Sequence, residues 1–390
     1  MDKRIEQIKA CEEKIRELSA TEENRRRQSL WTDDETANDY IWHPRPRSRD
    51  IIPFSFEIER AGYAKILGFS LKSFYTDPVE FVLRSLEMSI YRFEEYADCT
   101  PIGPAVTYWP GVGYEMSLFG MPQIYTEEDA WVGRDHVIKE RVPIESLEIP
   151  DFYEHPVMKE THAFFERMRE LLSDDFALIF PQWCRSSWGV AWQLRGIDDL
   201  IFDYIEDPEW LSAFLDFLTE ARFRWSDARA KMLGIGHRKA NLFNDEVNAP
   251  VVSPSLYKDV IFKSEKDVSD YFGGINYWHS CGNTTVLISL INELPGVDMV
   301  HVSPWTDVQV AADGYSDDKT LEVVLHPLRD VLQPESDAFL RKVLEDVKRI
   351  CAGRSVTVRA DGFEIMRGIE ADVAQMKHWV AAANEILLDA

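Results

Sequence analysis

The chain has 390 residues, of which 45% are hydrophobic and 28% charged, and its formal net charge is −25 at pH 7. This balance is typical of a folded globular protein, because the apolar content is enough for a core and the charge excess is too small for disorder. The acidic charge excludes wrapping of a nucleic-acid backbone and attraction to an anionic membrane surface, since both need clustered Lys and Arg.

Targeting and redox signals are weak in this sequence. No run of about 18 apolar residues predicts a membrane span, and the first residues are charged and lack the apolar middle of a secretion signal. The five cysteines are odd in number and widely spaced, which does not fit a disulfide framework. We therefore expect a reduced, cytoplasmic protein whose cysteines are free, buried or metal-bound, namely Cys11, Cys99, Cys184, Cys281 and Cys351.

The first predicted element is an amphipathic helix over residues 2–29, followed by a loop rich in Arg, Pro and Asp over residues 31–50. The apolar positions of the helix recur near a helical period between Lys, Arg and Glu. Such a helix packs either on its own domain or on a second subunit, because amphipathicity alone does not choose the surface that it covers. We therefore treat residues 1–50 as an N-terminal helix and extended arm.

After Pro53, short apolar runs alternate with longer helical patterns. Strands are predicted at 51–56, 100–106, 176–183, 239–244, 275–279, 298–302, 321–325 and 355–360. Helices are predicted at 77–95, 155–172, 207–233, 255–272, 283–294, 336–351 and 370–388. Repeated strand–helix units indicate a parallel sheet covered by helices.

About eight strands in a chain of this length favour an α/β fold of the (β/α)8 TIM-barrel type over an open doubly wound sheet. No G-x-G-x-x-G motif opens a helix, which weakens the dinucleotide-binding alternative. We expect one barrel over residues 51–390 with the N-terminal helical extension before it. Residues 108–149, rich in Trp, Pro and Gly, then form an excursion over one end of the barrel.

The sharpest local signal is the stretch Tyr277-Trp278-His279-Ser280-Cys281-Gly282-Asn283, between a predicted strand and a helix. Barrel enzymes place their active residues at the carboxyl ends of strands. His279 and Cys281 lie there two residues apart, so their side chains leave an extended backbone on the same side. Imidazole nitrogen and thiolate sulfur both bind zinc well. Two ligands do not make a zinc site, and a buried His beside a structural Cys is the alternative.

A wider pattern resembles the uroporphyrinogen decarboxylase superfamily. It combines Leu242 to Glu246, Val252 to Tyr257, His279 to Asn283, and Leu294-Pro295-Gly296-Val297-Asp298. The resemblance spans roughly residues 50–388 and is densest at 242–300. It implies a (β/α)8 barrel with its site at the carboxyl ends of the strands, and it implies a dimer.

The superfamily contains two chemistries, cofactor-free decarboxylation and cobalamin-dependent methyl transfer. The Arg-rich R-Q-A-G-R-Y signature of the decarboxylases is absent, and residues 45–49 are basic in a different pattern. The methyltransferase branch carries H-x-C plus a later Cys, which bind zinc, and His279 and Cys281 match the first two ligands. Asp361 follows the last predicted strand where the later Cys is expected, while Cys351 lies before that strand and is interpreted as a core residue. The resemblance thus leaves Asp361, His301 and Glu246 as candidates for the third ligand.

Other residues at strand ends are weaker candidates for the site. Asp245 and Glu246 are adjacent acids, of which one could be a general acid or a substrate anchor, and both could equally be acids at the start of a helix or in a loop. Substrate contacts are expected from Trp183, Trp305, His326 and Arg359, although Trp is as often plain packing and Arg359 could pair with Asp361. Cys184 is expected to line the core or the pocket.

We therefore expect a methyltransferase in which His279 and Cys281 hold zinc (Zn2+), with His301 as a further ligand and with Asp245, Glu246 and Asp361 as catalytic groups. A methyl group would pass between a small molecule and a corrinoid on a partner protein. This chain itself lacks the D-x-H-x-x-G signature of corrinoid-binding modules. The alternatives are a metal-independent decarboxylase (a lyase) that uses Asp245 or Glu246 as its acid, and a non-catalytic barrel that binds a small molecule.

Overall fold

A computed structural model describes residues 3–32, 41–45, 51–128 and 130–388. Each segment predicted as a strand overlaps an observed strand, and a hairpin that was not predicted, β3–β4, is added to them. The strands are β1 (Phe54–Ile58), β2 (Ala105–Thr107), β3 (Gln123–Tyr125), β4 (Ala130–Val132), β5 (Ala177–Ile179), β6 (Ala240–Phe243), β7 (Ile275–His279), β8 (Val297–Val302), β9 (Thr320–Leu325) and β10 (Val356–Phe363).

Helices follow most of the strands, and local sequence signals explain several of their starts. Asp77 and Asp207 each precede a proline, and each accepts a hydrogen bond from a backbone N–H of the first turn, which is a favourable N-terminal cap. The helices are α1 (Lys3–Ser19), α2 (Glu22–Gln28), α3 (Arg60–Leu67), α4 (Leu71–Thr76), α5 (Pro78–Glu95), α6 (Tyr114–Ser117), α7 (Pro156–Leu171), α8 (Ser187–Arg195), α9 (Ile197–Glu206), α10 (Pro208–Leu233), α11 (Pro254–Leu256), α12 (Phe262–Phe272), α13 (Ile288–Asn292), α14 (Val308–Gly314), α15 (Asp337–Ile350) and α16 (Ile369–Ala383).

The main sheet is parallel and six-stranded, in the order β1-β10-β9-β8-β7-β6. It curls into a half-barrel, and the crossover helices cover its outside, as parallel pairing requires. Because all of these strands run in one direction, their carboxyl ends share one rim.

A second parallel pair, β2–β5, forms a separate sheet, without a strand ladder to β1 or β6 in the described residues. Each of its strands has only three residues. Beyond β5 the chain does reach β6, since the amide of Phe243 donates to the carbonyl of Cys184 at 2.8 Å. The α/β architecture is thus confirmed, while closure of all the predicted strands into one barrel stays a prediction.

The core lies inside the sheet and between the sheet and its helices. Every residue of β7 is buried, as expected for a strand covered on both faces. On the outer side, Phe54 and Phe56 of β1 pack against Trp379 of α16, with ring centroids 5.6 and 6.0 Å apart. Large buried aromatic side chains such as these contribute much of the packing energy.

The N-terminal extension packs on its own chain. Ile8 and Ile15 of α1 are fully buried, and the Arg4 guanidinium donates to Asp77 Oδ2 at 2.6 Å, at the start of α5. The arm reaches the sheet as well, because Ile41 is buried against Tyr277 and Met299. Part of the predicted loop 31–50, including the basic residues at 46–49, lies outside the described residues.

Residues 108–149 contain the β3–β4 hairpin and α6, and several of their side chains lie over the rim of the sheet. This agrees with the predicted excursion. Among the described residues, no helix combines the length and the hydrophobicity needed to span a bilayer.

Candidate metal centre

The carboxyl ends of two neighbouring strands bring three potential ligands together. Asp245 follows β6 by two residues, His279 is the last residue of β7, and Cys281 follows it by two. The backbone fixes the alignment of the two loops, because the amide of Asn244 donates to the carbonyl of His279 at 2.7 Å. Asp245 and His279 are therefore close neighbours although they are 34 positions apart in the sequence.

Gly282 allows the loop after Cys281 to lie against the loop after β6. A Cβ atom at position 282 would be 2.2 Å from Cβ of Asn248, a distance that backbone-anchored atoms do not tolerate. Steric contact with Asn248 therefore explains why a glycine follows Cys281 in the H-x-C-G stretch. The close approach of the two loops also fixes the direction of the Cys281 side chain.

The ligand atoms of this triad converge on one point. His279 Nε2 lies 3.1 Å from Cys281 Sγ and 3.0 Å from Asp245 Oδ1, and all three ligand atoms lie within 4.8 Å of one another. Zinc bonds of about 2.0–2.3 Å at tetrahedral angles place neighbouring ligand atoms roughly 3.3–3.8 Å apart. Small outward shifts of these side chains would therefore accommodate the ion, and no other His/Cys/Asp/Glu group in the described ranges converges in this way.

The hydrogen bonds of His279 distinguish between two kinds of site, a metal centre and a Cys–His nucleophile pair, and they favour the metal centre. In a nucleophile triad the carboxylate holds Nδ1, so that Nε2 serves the nucleophile alone. Here the hydroxyl of Tyr277 lies 3.1 Å from Nδ1, and Asp245 and Cys281 both face Nε2. One Nε2–H cannot point at two acceptors, and Asp245 Oδ1 accepts no hydrogen bond of good geometry from the described residues. Three donor groups that face one point are typical of metal ligands.

The ionisation of the triad agrees with this geometry. Burial lowers the pKa of His279, but the neighbouring Cys281 and Asp245 outweigh it and raise the pKa to about 10. For Asp245, burial opposes ionisation, whereas His279 and then Arg185 hold its pKa well below the usual range. Without metal, a proton on His279 therefore lies between two acidic groups, and a metal ion would replace that proton.

Arg185 fixes the carboxylate of Asp245 from behind. Its guanidinium lies 3.2 Å from Asp245 Oδ2 and 2.6 Å from Glu246 Oε1, and Gln193 donates to the same Glu246 oxygen at 3.0 Å. Successive side chains alternate in direction, so Asp245 faces His279 while Glu246 faces α8. The position of Glu246 gives it a supporting role for Asp245, not a ligand position.

Tyr277 lies one strand layer below the triad and orients His279. Its hydroxyl donates to Glu322 Oε2 and lies 2.9 Å from His301 Nδ1. Burial, and then the Glu322 carboxylate, raises the pKa of Tyr277 well above its ordinary value. Because its one proton goes to Glu322, its oxygen accepts from the Nδ1–H of both imidazoles, which leaves Nε2 of His279 available to a metal.

His301, predicted as a further ligand, lies with Tyr277 and Glu322 in a supporting layer below the triad and is not among the converging ligand groups. Its ring packs edge-on to His279 with centroids 4.1 Å apart, and Nδ1 lies 3.3 Å from Glu322 Oε2. Burial, followed by the charge of His279, lowers the pKa of His301 to about 4. The imidazole is therefore neutral near pH 7.

We predict that Tyr277→Phe weakens zinc binding by about 10–100-fold, because it removes the acceptor that sets the tautomer of His279. The phenyl ring keeps the packing but leaves the buried Glu322 carboxylate one donor short, so circular dichroism checks that the variant is folded. Competition with a chromophoric chelator measures the affinity, with Tyr271→Phe, at an exposed position on α12, as the control. Unchanged affinity in Tyr277→Phe would exclude this orienting role.

Of the remaining predicted residues, one group lines the cavity beside the triad and the other does not. Arg359 and Asp361 line the cavity beside the triad and pair with each other at 2.6 Å, so Asp361 is engaged away from His279. Trp183 is buried and donates to the carbonyl of Arg185. Trp305 is 58% exposed and packs on His326, outside the cavity walls.

A cavity of about 300 Å³ opens in front of the triad, a size suited to a small molecule. Its walls come from the ends of β1, β2, β5, β6, β7 and β10 and from the excursion. They include the aromatic side chains Tyr108, Trp109, Tyr114, Phe180 and Phe243. Cys184 also lines it, and burial, followed by Glu115, raises the pKa of that thiol to about 12, so Cys184 is not a thiolate at neutral pH.

The functional roles of Tyr277, Glu322 and Arg185 were not predicted from the sequence, and Asp245 was predicted as an acid instead of a ligand. A signal existed for Glu322, since a carboxylate inside an otherwise apolar strand must have a partner. Alternation along β6 was the signal for Asp245, because it places residues 243 and 245 on the same side.

Comparison with known proteins gives the fold of the chain but no family. No family model and no curated protein sequence matches it. A solved structure of a methyltransferase from Methanosarcina mazei superposes with a TM-score of 0.61 at 15% sequence identity, over 86% of this chain and 94% of that chain. This chain thus shares the fold of a known methyltransferase.

Proposed function

We propose that the protein is a zinc-dependent methyltransferase whose metal is held by Asp245, His279 and Cys281. The observation that carries the proposal is the convergence of these three ligand atoms at the wall of the cavity. Three protein ligands with a remaining position open to substrate are typical of catalytic zinc sites. The shared fold with a methyltransferase and the H-x-C resemblance to the methyltransferase branch of the uroporphyrinogen decarboxylase superfamily both support it.

The ligand set is mixed, with one nitrogen, one sulfur and one oxygen, and Asp245 stands in place of the second thiolate that the resemblance leads one to expect. When bound, zinc supplies a Lewis acid that keeps a substrate thiol ionised at neutral pH or polarises a leaving oxygen or nitrogen. Cys281, which is exposed, lies on the solvent side of the triad.

The protein's own residues orient these ligands. Tyr277 keeps the proton of His279 on Nδ1, and Arg185 neutralises one oxygen of Asp245 while the other faces the triad. Supporting contacts of this kind maintain ligand direction and basicity. The low pKa of Asp245 does not favour a general-acid role, which weakens the decarboxylase alternative.

Within this proposal the eight parallel strands complete a (β/α)8 barrel, and the methyl group passes between a small molecule and a corrinoid on a partner protein. The cavity volume fits the small molecule alone. A corrinoid would therefore approach from outside, at the exposed side of Cys281.

The test is methyl transfer between free methylcobalamin and small thiols, followed by the change in corrinoid absorbance. Zinc-loaded protein should turn over, and removal of the metal or His279→Ala should lower the rate on the order of 100-fold or more. Cys184→Ala, which changes the same cavity but not the triad, should retain the rate. Protein that purifies without zinc, or that is equally active after chelation, would refute the metal-dependent function.

A further inference from the structure

A second, smaller cavity lies between α10 and the amino end of β6. Its volume is about 80 Å³, well below the roughly 300–1,000 Å³ of pockets for drug-sized ligands. The triad lies beyond the carboxyl end of the same strand, and Gln182 contributes to the walls of both cavities. The two cavities are therefore neighbours, but the smaller one contains none of the triad residues.

The ionisable side chains in the walls of this small cavity are all basic. None of the described residues that line it is Asp or Glu, although the chain as a whole has a net charge of −25. Two of the bases lie on α10 seven residues apart, so they share one face of that helix. The basic lining residues are Arg222, Arg229, His237, Arg238 and Lys239. Such a lining in so acidic a protein favours an anion as the ligand.

The three bases in the loop before β6 already have partners. Lys239 Nζ lies 2.6 Å from Asp298 Oδ1, and His237 Nε2 lies 2.8 Å from Asp227 Oδ1. Arg238 is engaged as well. The positive charge of this cavity that lacks a counter-ion therefore lies on α10.

Arg222 and Arg229 form no ion pair with a carboxylate within the part of the chain that the structure describes. Arg222 is 2% exposed, and its Nη2 donates to the carbonyl of Asn241 at 2.8 Å, while Nε and Nη1 find no acceptor there. Arg229 donates from Nε and Nη2 to the carbonyls of Pro181 and Phe180 at 2.6 and 3.0 Å. Carbonyl oxygens accept these hydrogen bonds but do not neutralise the charge.

One carboxylate, that of Glu115, partly compensates Arg222 from the neighbouring cavity. It accepts hydrogen bonds from the amides of Cys184 and Arg185 at 2.9 and 3.1 Å, and it does not line the small cavity. Burial lowers the pKa of Arg222 and of Arg229 to about 10, because a buried guanidinium loses its solvation. Both groups stay cationic at neutral pH, and a buried cation is costly unless a counter-ion neutralises it.

We propose that this small cavity binds a tetrahedral oxyanion, either free phosphate or sulfate or the phosphate group of a monoester, against Arg222 and Arg229. A guanidinium presents its donors in a rigid fork that matches the oxygens of such an anion. The hydroxyl of Ser226, which also lines the cavity, is a further donor. The small volume fits an ion of a few heavy atoms. This inference is independent of the proposed function, because no triad residue contributes to it.

The experiment is calorimetric titration of phosphate and of sulfate into the wild-type protein at constant ionic strength, with chloride as the balancing ion. Both anions should bind and should raise the midpoint of urea unfolding, because they bind the folded state. Arg229→Gln should weaken both affinities about ten-fold or more, as expected for the loss of a charge-assisted contact. The matched control is Arg224→Gln, since Arg224 lies on the same helix but is exposed and pairs with Glu220 at 2.7 Å. Equal affinities in Arg229→Gln and wild type, or neither heat nor a midpoint shift with either anion, would overturn the proposal.

Replacement of the buried Arg222 tests the other half of the site. Arg222→Gln should weaken binding at least as much as Arg229→Gln does, and circular dichroism checks that it is folded. Wild-type affinity in the folded variant would reject the site. If Arg222→Gln does not fold, the comparison of Arg229→Gln with Arg224→Gln decides.

Two further titrations locate the anion and identify its source. His279→Ala, which removes a group of the triad, should keep the sulfate affinity, whereas its loss there would place the anion at the triad and overturn the proposal. Glycerol 2-phosphate is compared with phosphate in the wild-type protein. Binding of phosphate that is ten-fold or more tighter indicates a free ion, and similar affinities indicate a phosphate group whose remainder extends out of the cavity. Either result retains the oxyanion site.

Discussion

Cys281→Ala is expected to weaken zinc binding by about 100-fold or more and to abolish methyl transfer. Structural zinc sites bind with roughly 10–16 kcal/mol shared among four ligands, so the loss of one ligand removes about 3 kcal/mol. The thiolate is also the softest donor of the triad and the one on its solvent side. His279→Ala and Asp245→Ala should each lower the affinity by a similar factor, because all three groups face the same point.

Zinc content after dialysis against a graded series of chelator concentrations measures the affinity, and circular dichroism checks that each variant is folded. Cys184→Ala is the matched control, since that cysteine lines the same cavity but lies outside the triad. Full zinc retention in Cys281→Ala, or equal losses in Cys281→Ala and Cys184→Ala, would contradict the assignment.

The sequence could predict the two ligands of the H-x-C stretch because they lie next to each other on one strand end, where local spacing determines direction. The third ligand depends on which neighbouring strand is adjacent and on its register. In the structure Phe243 pairs with His279, so the residue two positions after Phe243 meets the imidazole. Asp361 lies two strands beyond β8 and is held by Arg359, a pairing that the sequence offered as an alternative.

The positions of the strands along the chain were also predictable from the sequence, whereas the closure of these strands into a barrel was not. Segments such as 275–279 and 321–325 are short, mostly apolar runs that precede helical patterns, which indicates buried parallel strands. β2 and β5 have only three residues each, and whether such short strands join a ladder depends on long-range packing. The supporting layer was equally hidden, because the bond between Tyr277 and Glu322 joins residues 45 apart in the sequence.

The second large effect is expected in the same supporting layer, where Glu322→Gln should destabilise the protein. Glu322 is buried between β8 and β10, where Arg359 Nη1 lies 3.7 Å away and Tyr277 donates to it. Burial opposes its ionisation, but Arg359 and then His301 lower the pKa of Glu322 to about 2. Glu322→Gln keeps the side-chain size but leaves the guanidinium of Arg359 with less compensation in a buried place, which costs roughly 3–5 kcal/mol of unfolding free energy.

The pH dependence of stability tests the charge itself. Glu322 has a folded-state pKa of about 2, below its unfolded value of about 4.3, so its contribution is fully present above pH 4.3 and is lost as the pH falls toward 2. Urea unfolding should therefore give a wild-type advantage over Glu322→Gln that is constant near pH 6 and shrinks at pH 3. Glu345→Gln, on the exposed side of α15, should differ from wild type by less than about 0.5 kcal/mol throughout. A gap between wild type and Glu322→Gln that does not narrow with acid would mean that shape, and not the ion pair, makes Glu322 necessary under the triad.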